Sequence, residues 1–295
     1  MISNFIHTTL VMTTPILLAA LGGMFTDLSG MLNIGLEGMM LASAFTSIFV
    51  ANATSSLLIG ILAGLCLSTI LAAIMAYFSL SLRANVFVVG LATNLFANGL
   101  TVFLGVSLCK SKGTLLFLNA PKLSNIQIPF VKDIPFLGKI LSGYNALDYS
   151  AIILTIICYL VIFHTPYGYH LRAVGKDPRT AISVGISVYK HRFLAFVLSG
   201  LFAGLGGVAL SLPLKIFVGG MTNGRGWIAL VAVVLGQGNP FGVFIASLIF
   251  GASSAFSNML QALTDISPKL LLTIPFVITL IAMTVYAIRS KKTYE

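Results

Sequence analysis

Glu37 is the residue of this 295-residue chain best placed to do chemistry. It lies in NIGLEG (33–38), where a second apolar run reaches membrane-spanning length only by taking in residues 32–38. An acid inside an apolar run faces a cavity or a partner and is a functional candidate by default. The structural alternative is a cap: the glycine break before it exposes amides that need an acceptor. Asn33 accompanies it, and Asp27 is expected in the turn between the first two spans. Asn94 and Asn98 fall at i, i+4 and so share one helix face, and Asn258 and Gln261 fall at i, i+3. Such amides either hydrogen-bond a polar solute or hold helices to one another.

Other chemistries lack their residues. No GxxxxGK[ST] phosphate loop, HExxH or GxSxG occurs, and His7, His164, His170 and His191 are scattered. Cys66, Cys109 and Cys158 form no CxxC pair and read as packing residues. An enzyme is poorly supported, no metal site is expected, and any ATP must be bound by another chain.

The elements that position these residues follow from composition. The chain is 58% hydrophobic and 8% charged, with mean hydropathy +1.02, against about 25% charged in a soluble domain. Period-2 alternation is absent, so helices rather than a barrel are expected: an all-α, polytopic transmembrane bundle forming one domain over 1–295. The net charge of +10 reads as membrane orientation and anionic headgroups, with no nucleic-acid partner.

Apolar runs at 5–24, 39–51, 57–80, 86–108, 149–163, 193–212, 226–237, 241–260 and 270–288 give about nine spans, eight to ten, with a break at 22–38. The seventh is short and reads as a tilted or broken span. Gly60xxxGly64 and Gly200xxxGly204 read as close-packing motifs. Residues 109–147, with Pro121, Pro129, Pro135 and five lysines, form the longest connection, functional or loosely structured. No Lys or Arg precedes the first apolar run, so a signal-peptide n-region is missing and the first span is expected to persist.

Residues 165–192 form a polar island in which Arg172, Lys176, Arg179, Lys190 and Arg192 face one acid, Asp177. Asp177 and Pro178 have the form of an N-cap followed by proline in the first turn. A short rigid helix over about 179–185 is predicted, stopped by Gly185. Basic residues divide nine to eight between the two faces, so charge alone scarcely orients the chain.

Four stretches then carry a resemblance: SGMLNIGLEGMML (29–41), LRAVGKDPRTAISVGISV (171–188), SGLFAGLGG (199–207) and GRGWIALVAVVLGQGNPFG (224–242). They resemble the membrane subunits of ATP-binding-cassette importers of the ribose/branched-chain-amino-acid permease superfamily. NIGLEG and NVFVVGLATNLFANGLTVFL (85–104) narrow this to the shorter permease of bacterial nucleoside importers. The match runs in order over most of the chain, with 109–147 contributing little.

The resemblance implies a fold of the ribose/vitamin-B12-like permease type in the bacterial cytoplasmic (inner) membrane. It makes 171–188 a coupling helix seated on a cytoplasmic ATPase, with Arg172, Gly175, Asp177, Pro178, Arg179, Ala181 and Gly185 as its residues. That puts 165–192 inside, and 109–147 and the N-terminus outside. It implies as partners a longer homologous permease, an ATPase with two nucleotide-binding halves that holds ATP and Mg, and an extracellular substrate-binding lipoprotein. The solute path, for a nucleoside, would run between the permeases past Asn33, Glu37, Asn94, Asn98, Asn258 and Gln261. An importer of simple sugars is the alternative; ribose permeases of the superfamily carry a Gly-Gly-Ile-Asp-Leu-Ser-like stretch where this chain has NIGLE.

Overall fold

The computed structural model describes residues 2–110, 113–127, 142–263 and 267–292. The first element, α1 (Ile2–Leu28), is the axis around which the rest is packed. From Ile16 to Leu21, and again at Met24 and Phe25, its side chains are fully buried. A helix that is apolar on every side belongs in the middle of a bundle, and α1 has no charge before Asp27. Its small residues make the packing close: a Cβ at Gly22 would stand 2.8 Å from the Ser199 carbonyl oxygen and from Phe202 Cβ.

Next in the chain come α2 (Leu36–Thr54), α3 (Leu57–Leu80), α4 (Val86–Cys109) and α5 (Ala146–His164). Two short helices follow, α6 (Pro166–Lys176) and α7 (Pro178–Ser183), then α8 (Val188–Ser211). The chain ends with α9 (Arg225–Gly236), α10 (Pro240–Leu263), α11 (Pro268–Leu271) and α12 (Ile274–Lys292). Both glycine motifs serve packing. Gly60 and Gly64 let α3 lie on Ser43, Ser47 and Ala51 of α2, and Gly200 and Gly204 let α8 lie on Ser68 and Ala72 of α3. The outer faces of α3, α4, α5 and α12 are lined with exposed Leu, Ile and Phe, among them Leu58, Leu95, Phe103, Ile153 and Leu280.

The first apolar run does not break at Gly22. Gly22 and Gly23 sit against neighbours, and the helix continues through Asp27 to Leu28 before turning at Ser29 and Gly30, the latter at φ 79°. Asp27 therefore closes a helix rather than lying in the turn beyond it.

The expectation of about nine spans also changes. Among the described residues seven helices are long and apolar enough to cross a membrane. α9 has twelve residues, about 18 Å at a 1.5 Å rise, too short for a ~30 Å core. The apolar part of α12, Ile274–Thr284, is likewise short.

The long connection is only partly described, and what is described is built into the fold. β1 (Leu115–Leu116) pairs antiparallel with β4 (Ile216–Phe217), and β2 (Asn125–Ile126) with β3 (Tyr144–Asn145). Leu115, Phe117, Ala120 and Leu123 are buried in a second apolar cluster with Phe45 and Phe217, whose rings meet edge-on at 5.0 Å. Pro129, Pro135, Lys112, Lys132 and Lys139 lie outside the described residues.

Candidate translocation and coupling site

The break between α1 and α2 is an irregular segment, 29–35, in which Ser29, Asn33 and Gly35 are buried while Gly30 and Leu32 are exposed. Buried backbone amides at such a place must find acceptors within the protein: those of Ser29, Gly30 and Met31 bond carbonyls near the end of α1, and that of Gly35 goes to a predicted polar side chain. Asn33 is fully buried. Its Oδ1 accepts from Gly35 N at 2.9 Å, while its Nδ2 donates to Ser199 Oγ at 2.8 Å and to Met39 Sδ at 3.4 Å. Asn94, on α4, accepts from Gly38 N at 2.7 Å and donates to the Ile34 carbonyl at 2.9 Å. It thus holds both edges of the α2 start.

Glu37 is committed to a partner remote in sequence. Its Oε1 accepts from Gly224 N at 2.8 Å and its Oε2 from Gly226 N at 2.7 Å. α9 begins here with no side-chain cap of its own. The carboxylate therefore takes two orphan amides at the positive end of that helix, where an anion is favoured. Gly226 is required by the closeness, since a Cβ there would lie 2.5 Å from Glu37 N.

Asn33, Glu37 and Asn94 form a cluster joined through the backbone of 33–38 rather than by bonds to one another. Asn98 is exposed on α4 and stands apart from it. Asn258, exposed on α10, reaches Met12 Sδ at 3.9 Å; Gln261 has a buried Nε2 without a partner among the described residues. Arg225, not among the predicted site residues, also belongs to this region. Its Nη1 donates to the Met221 and Thr222 carbonyls at 3.1 and 3.3 Å, and its Nη2 reaches Met12 Sδ at 4.0 Å. The available signal was an arginine opening the apolar run 226–237.

In the basic island the Asp177 cap is formed. Oδ1 accepts from Arg179 N at 2.9 Å and from Thr180 N at 3.3 Å, and Oδ2 accepts from Thr180 Oγ1 at 2.5 Å. These bonds, that from the hydroxyl foremost, hold the exposed carboxyl below the usual carboxylate range. Pro178 occupies the first turn and Ala181 is buried. The stop is a left-handed Gly185 at φ 82°, with Gly185 N donating to the Ile182 carbonyl and Ile186 N to that of Ala181, both at 3.0 Å. Arg179, Ile182 and Val184 are exposed.

One helix was expected in the island and two are found. Thr165 and Pro166 start α6, with Thr165 Oγ1 accepting from Gly168 N at 3.3 Å. Arg172 accordingly does not set the entry of the short helix. It belongs to α6, its guanidinium 4.8 Å from the Phe163 ring centroid and 5.1 Å from that of Tyr169.

α6 bears on the break itself. Gly175 is so close to the Leu28 carbonyl and Gly30 that no side chain fits between them. Arg192 Nε donates to the Ser29 carbonyl at 3.1 Å. The island therefore touches the start of segment 29–35, and Glu37 ties the far side of that segment to α9.

Comparison with known proteins agrees with this architecture. Residues 5–283 match the profile of the family described as branched-chain amino acid transport system / permease component. The guanosine ABC transporter permease protein NupQ of Bacillus subtilis is 35% identical over 96% of this chain and 92% of that protein. The nucleoside ABC transporter permease protein NupC of Lactococcus lactis is 30% identical over 94% and 90%. In fold, PsaBC from Streptococcus pneumoniae aligns over 96% of this chain and 95% of that one, with TM-score 0.52 at 15% identity. A buried axial helix, an irregular re-entry beside it and a capped short helix pressed on that re-entry are thus found in a multi-pass membrane protein that belongs to the branched-chain amino acid transport system permease family.

Proposed function

We propose that this chain is the shorter of two permease subunits in a bacterial inner-membrane importer of nucleosides, driven by a separate ATPase. The family membership and the two relatives whose names specify guanosine and nucleoside transport support the substrate class. The observation that carries the mechanism is the contact of the basic island with the break: Gly175 of α6 on Leu28 and Gly30, and Arg192, at the start of α8, on Ser29.

The mechanism is alternating access, in which ATP biases a two-state element. The partner ATPase binds ATP and Mg on the cytoplasmic side, where 165–192 lies, and its closure displaces α7 through the exposed Arg179, Ile182 and Val184. Asp177 keeps α7 a rigid body, and Gly175 passes the movement to Leu28 and segment 29–35. Asn33, Asn94 and Glu37 then carry it to the starts of α2 and α9. Discontinuous helices of this kind border solute sites in other transporters. The path lies between this chain and a longer homologous permease, and the outer loop 109–147 docks an extracellular binding lipoprotein.

The test is uptake of radiolabelled inosine into vesicles carrying the co-assembled subunits, with and without internal ATP. ATP-dependent inosine uptake is expected. Uptake of ribose without inosine would transfer the chain to the sugar importers, and ion-driven uptake by this chain alone would refute the importer assignment.

A further inference from the structure

α6 folds back on the end of α5 so tightly that a Cβ at Gly168 would collide with the Ile162 carbonyl. It packs on α8 and α1 as well, with Gly168, Leu171 and Val174 buried and Tyr169, His170 and Lys176 exposed. Arg172 is half-buried on its edge. The guanidinium sits over two ring faces, those of Phe163 and Tyr169. Among the described residues no acceptor meets it, and its Nε is buried and unpaired. The acid nearby is already engaged: Asp177, alone in 165–192, has both oxygens committed to the cap of α7. A buried donor without an acceptor is costly, and a cation–π contact leaves the N–H groups of a guanidinium unused. The fold therefore fixes a cation in place and supplies no anion for it.

The rings around Arg172 mark the level of the headgroups. Phe163 packs on Tyr159, and Tyr159 on Phe241 in the first turn of α10, each pair with centroids 5.1 Å apart. Aromatic side chains gathered at helix ends form the interfacial belt of a membrane protein. From this group, exposed Ile153, Ile156 and Leu160 run along α5, and exposed Phe241, Ile245 and Ile249 along α10. The two helices pack on each other, so an apolar strip ends at an unpaired cation. We infer that Arg172 binds the phosphate of an anionic glycerophospholipid whose chains lie along the α5–α10 strip. The planar guanidinium matches two phosphate oxygens at once, and the strip singles out a lipid over a free phosphate. This goes beyond the nucleoside reading and rests only on the chain being a multi-pass membrane protein. It moves Arg172 from the ATPase contact that the family resemblance implies to the bilayer, and gives α6 a fixed point in the leaflet beside α7.

The test is photolabelling of the assembled importer in proteoliposomes of equal parts phosphatidylglycerol and phosphatidylcholine. A diazirine is placed in the acyl chain of one lipid or the other, and the label is mapped by mass spectrometry. In the wild type the glycerol-to-choline labelling ratio is expected to be several-fold higher on residues 153–160 and 241–249 than around the exposed Leu62 and Ile70 of α3. That comparison needs no variant, and equal ratios at the two faces would overturn the inference. Arg172→Gln is expected to lower the ratio on the α5–α10 strip about fivefold, the factor for one basic residue at an anionic leaflet. Arg172→Lys, which keeps the charge but loses the fork, is expected to lower it less. Arg83→Gln, which removes an exposed cation beyond α3, is expected to leave it unchanged; an equal fall there would reduce the effect to general surface charge and overturn the site. Unchanged labelling in Arg172→Gln together with loss of ATPase copurification would return the residue to the ATPase contact. Abolition of the ratio by added glycerol 3-phosphate would assign the site to free phosphate, again overturning the lipid.

Discussion

Glu37 is a carboxylate whose two oxygens each receive one amide from the start of another helix. Replacing it by Gln keeps one acceptor, removes the charge and leaves one amide facing an NH2 group. Hydrogen bonds to charged groups contribute about 1.5–3 kcal/mol and helix-end charges up to about 2 kcal/mol, so Glu37→Gln should lower stability by roughly 2 kcal/mol. Thermal unfolding of the detergent-solubilised chain reads this as a depressed Tm; an unchanged Tm would show that the carboxylate is free for solute. Gly226→Ala is expected to be at least as damaging, because its Cβ would fall 2.5 Å from Glu37 N. The sequence marks Glu37 as unusual but is silent on its partner, since Gly224 and Gly226 lie 187 and 189 residues away. Asn94 shows the same limit: its face was readable from spacing, its hold on Ile34 and Gly38 was not. Asp177 was readable, role and all, because cap chemistry lies within three residues.

For the elements, α7 depends on that cap, and its pH dependence has a definite sign. The carboxyl of Asp177 is held below its ordinary range in the fold. A depressed carboxyl stabilises above its unfolded pKa, and the contribution is lost only as pH falls through the lower folded value. Transport coupling should therefore show no loss attributable to this cap between pH 8 and pH 5. Following the Thr180 amide by NMR across that range checks it; a change centred near pH 6 would contradict the cap. Asp177→Asn should retain the helix, since Asn caps as well as Asp, whereas Gly175→Val should hold α6 away from Leu28 and lower transport with assembly intact. Copurification of the subunits alongside uptake separates the two effects. Element boundaries were legible where the signal is local: α3 follows its apolar run, whereas α5 starts at Ala146, ahead of the run expected at 149–163, behind a capping box of Asn145 and Asp148 that the apolar pattern does not reveal. The glycines at 22–23 misled because they serve helix contact, a tertiary role that looks like a break in one dimension. α6 was missed because its start rests on one threonine–proline pair in a stretch dominated by charge.

At the scale of the whole molecule, the buried axis α1, the irregular segment 29–35 and the island 165–192 are in continuous contact. The family and its membrane character were legible from motif order and hydropathy, while orientation was not, because basic residues divide almost evenly. The central claim is that α7 transmits ATP-driven motion, and the most direct measurement is ATP hydrolysed per inosine transported, taken on wild-type and Asp177→Arg importers in the same proteoliposomes. The account predicts that Asp177→Arg continues to hydrolyse ATP while inosine uptake falls at least tenfold. Uptake and hydrolysis at wild-type stoichiometry in that variant would contradict it.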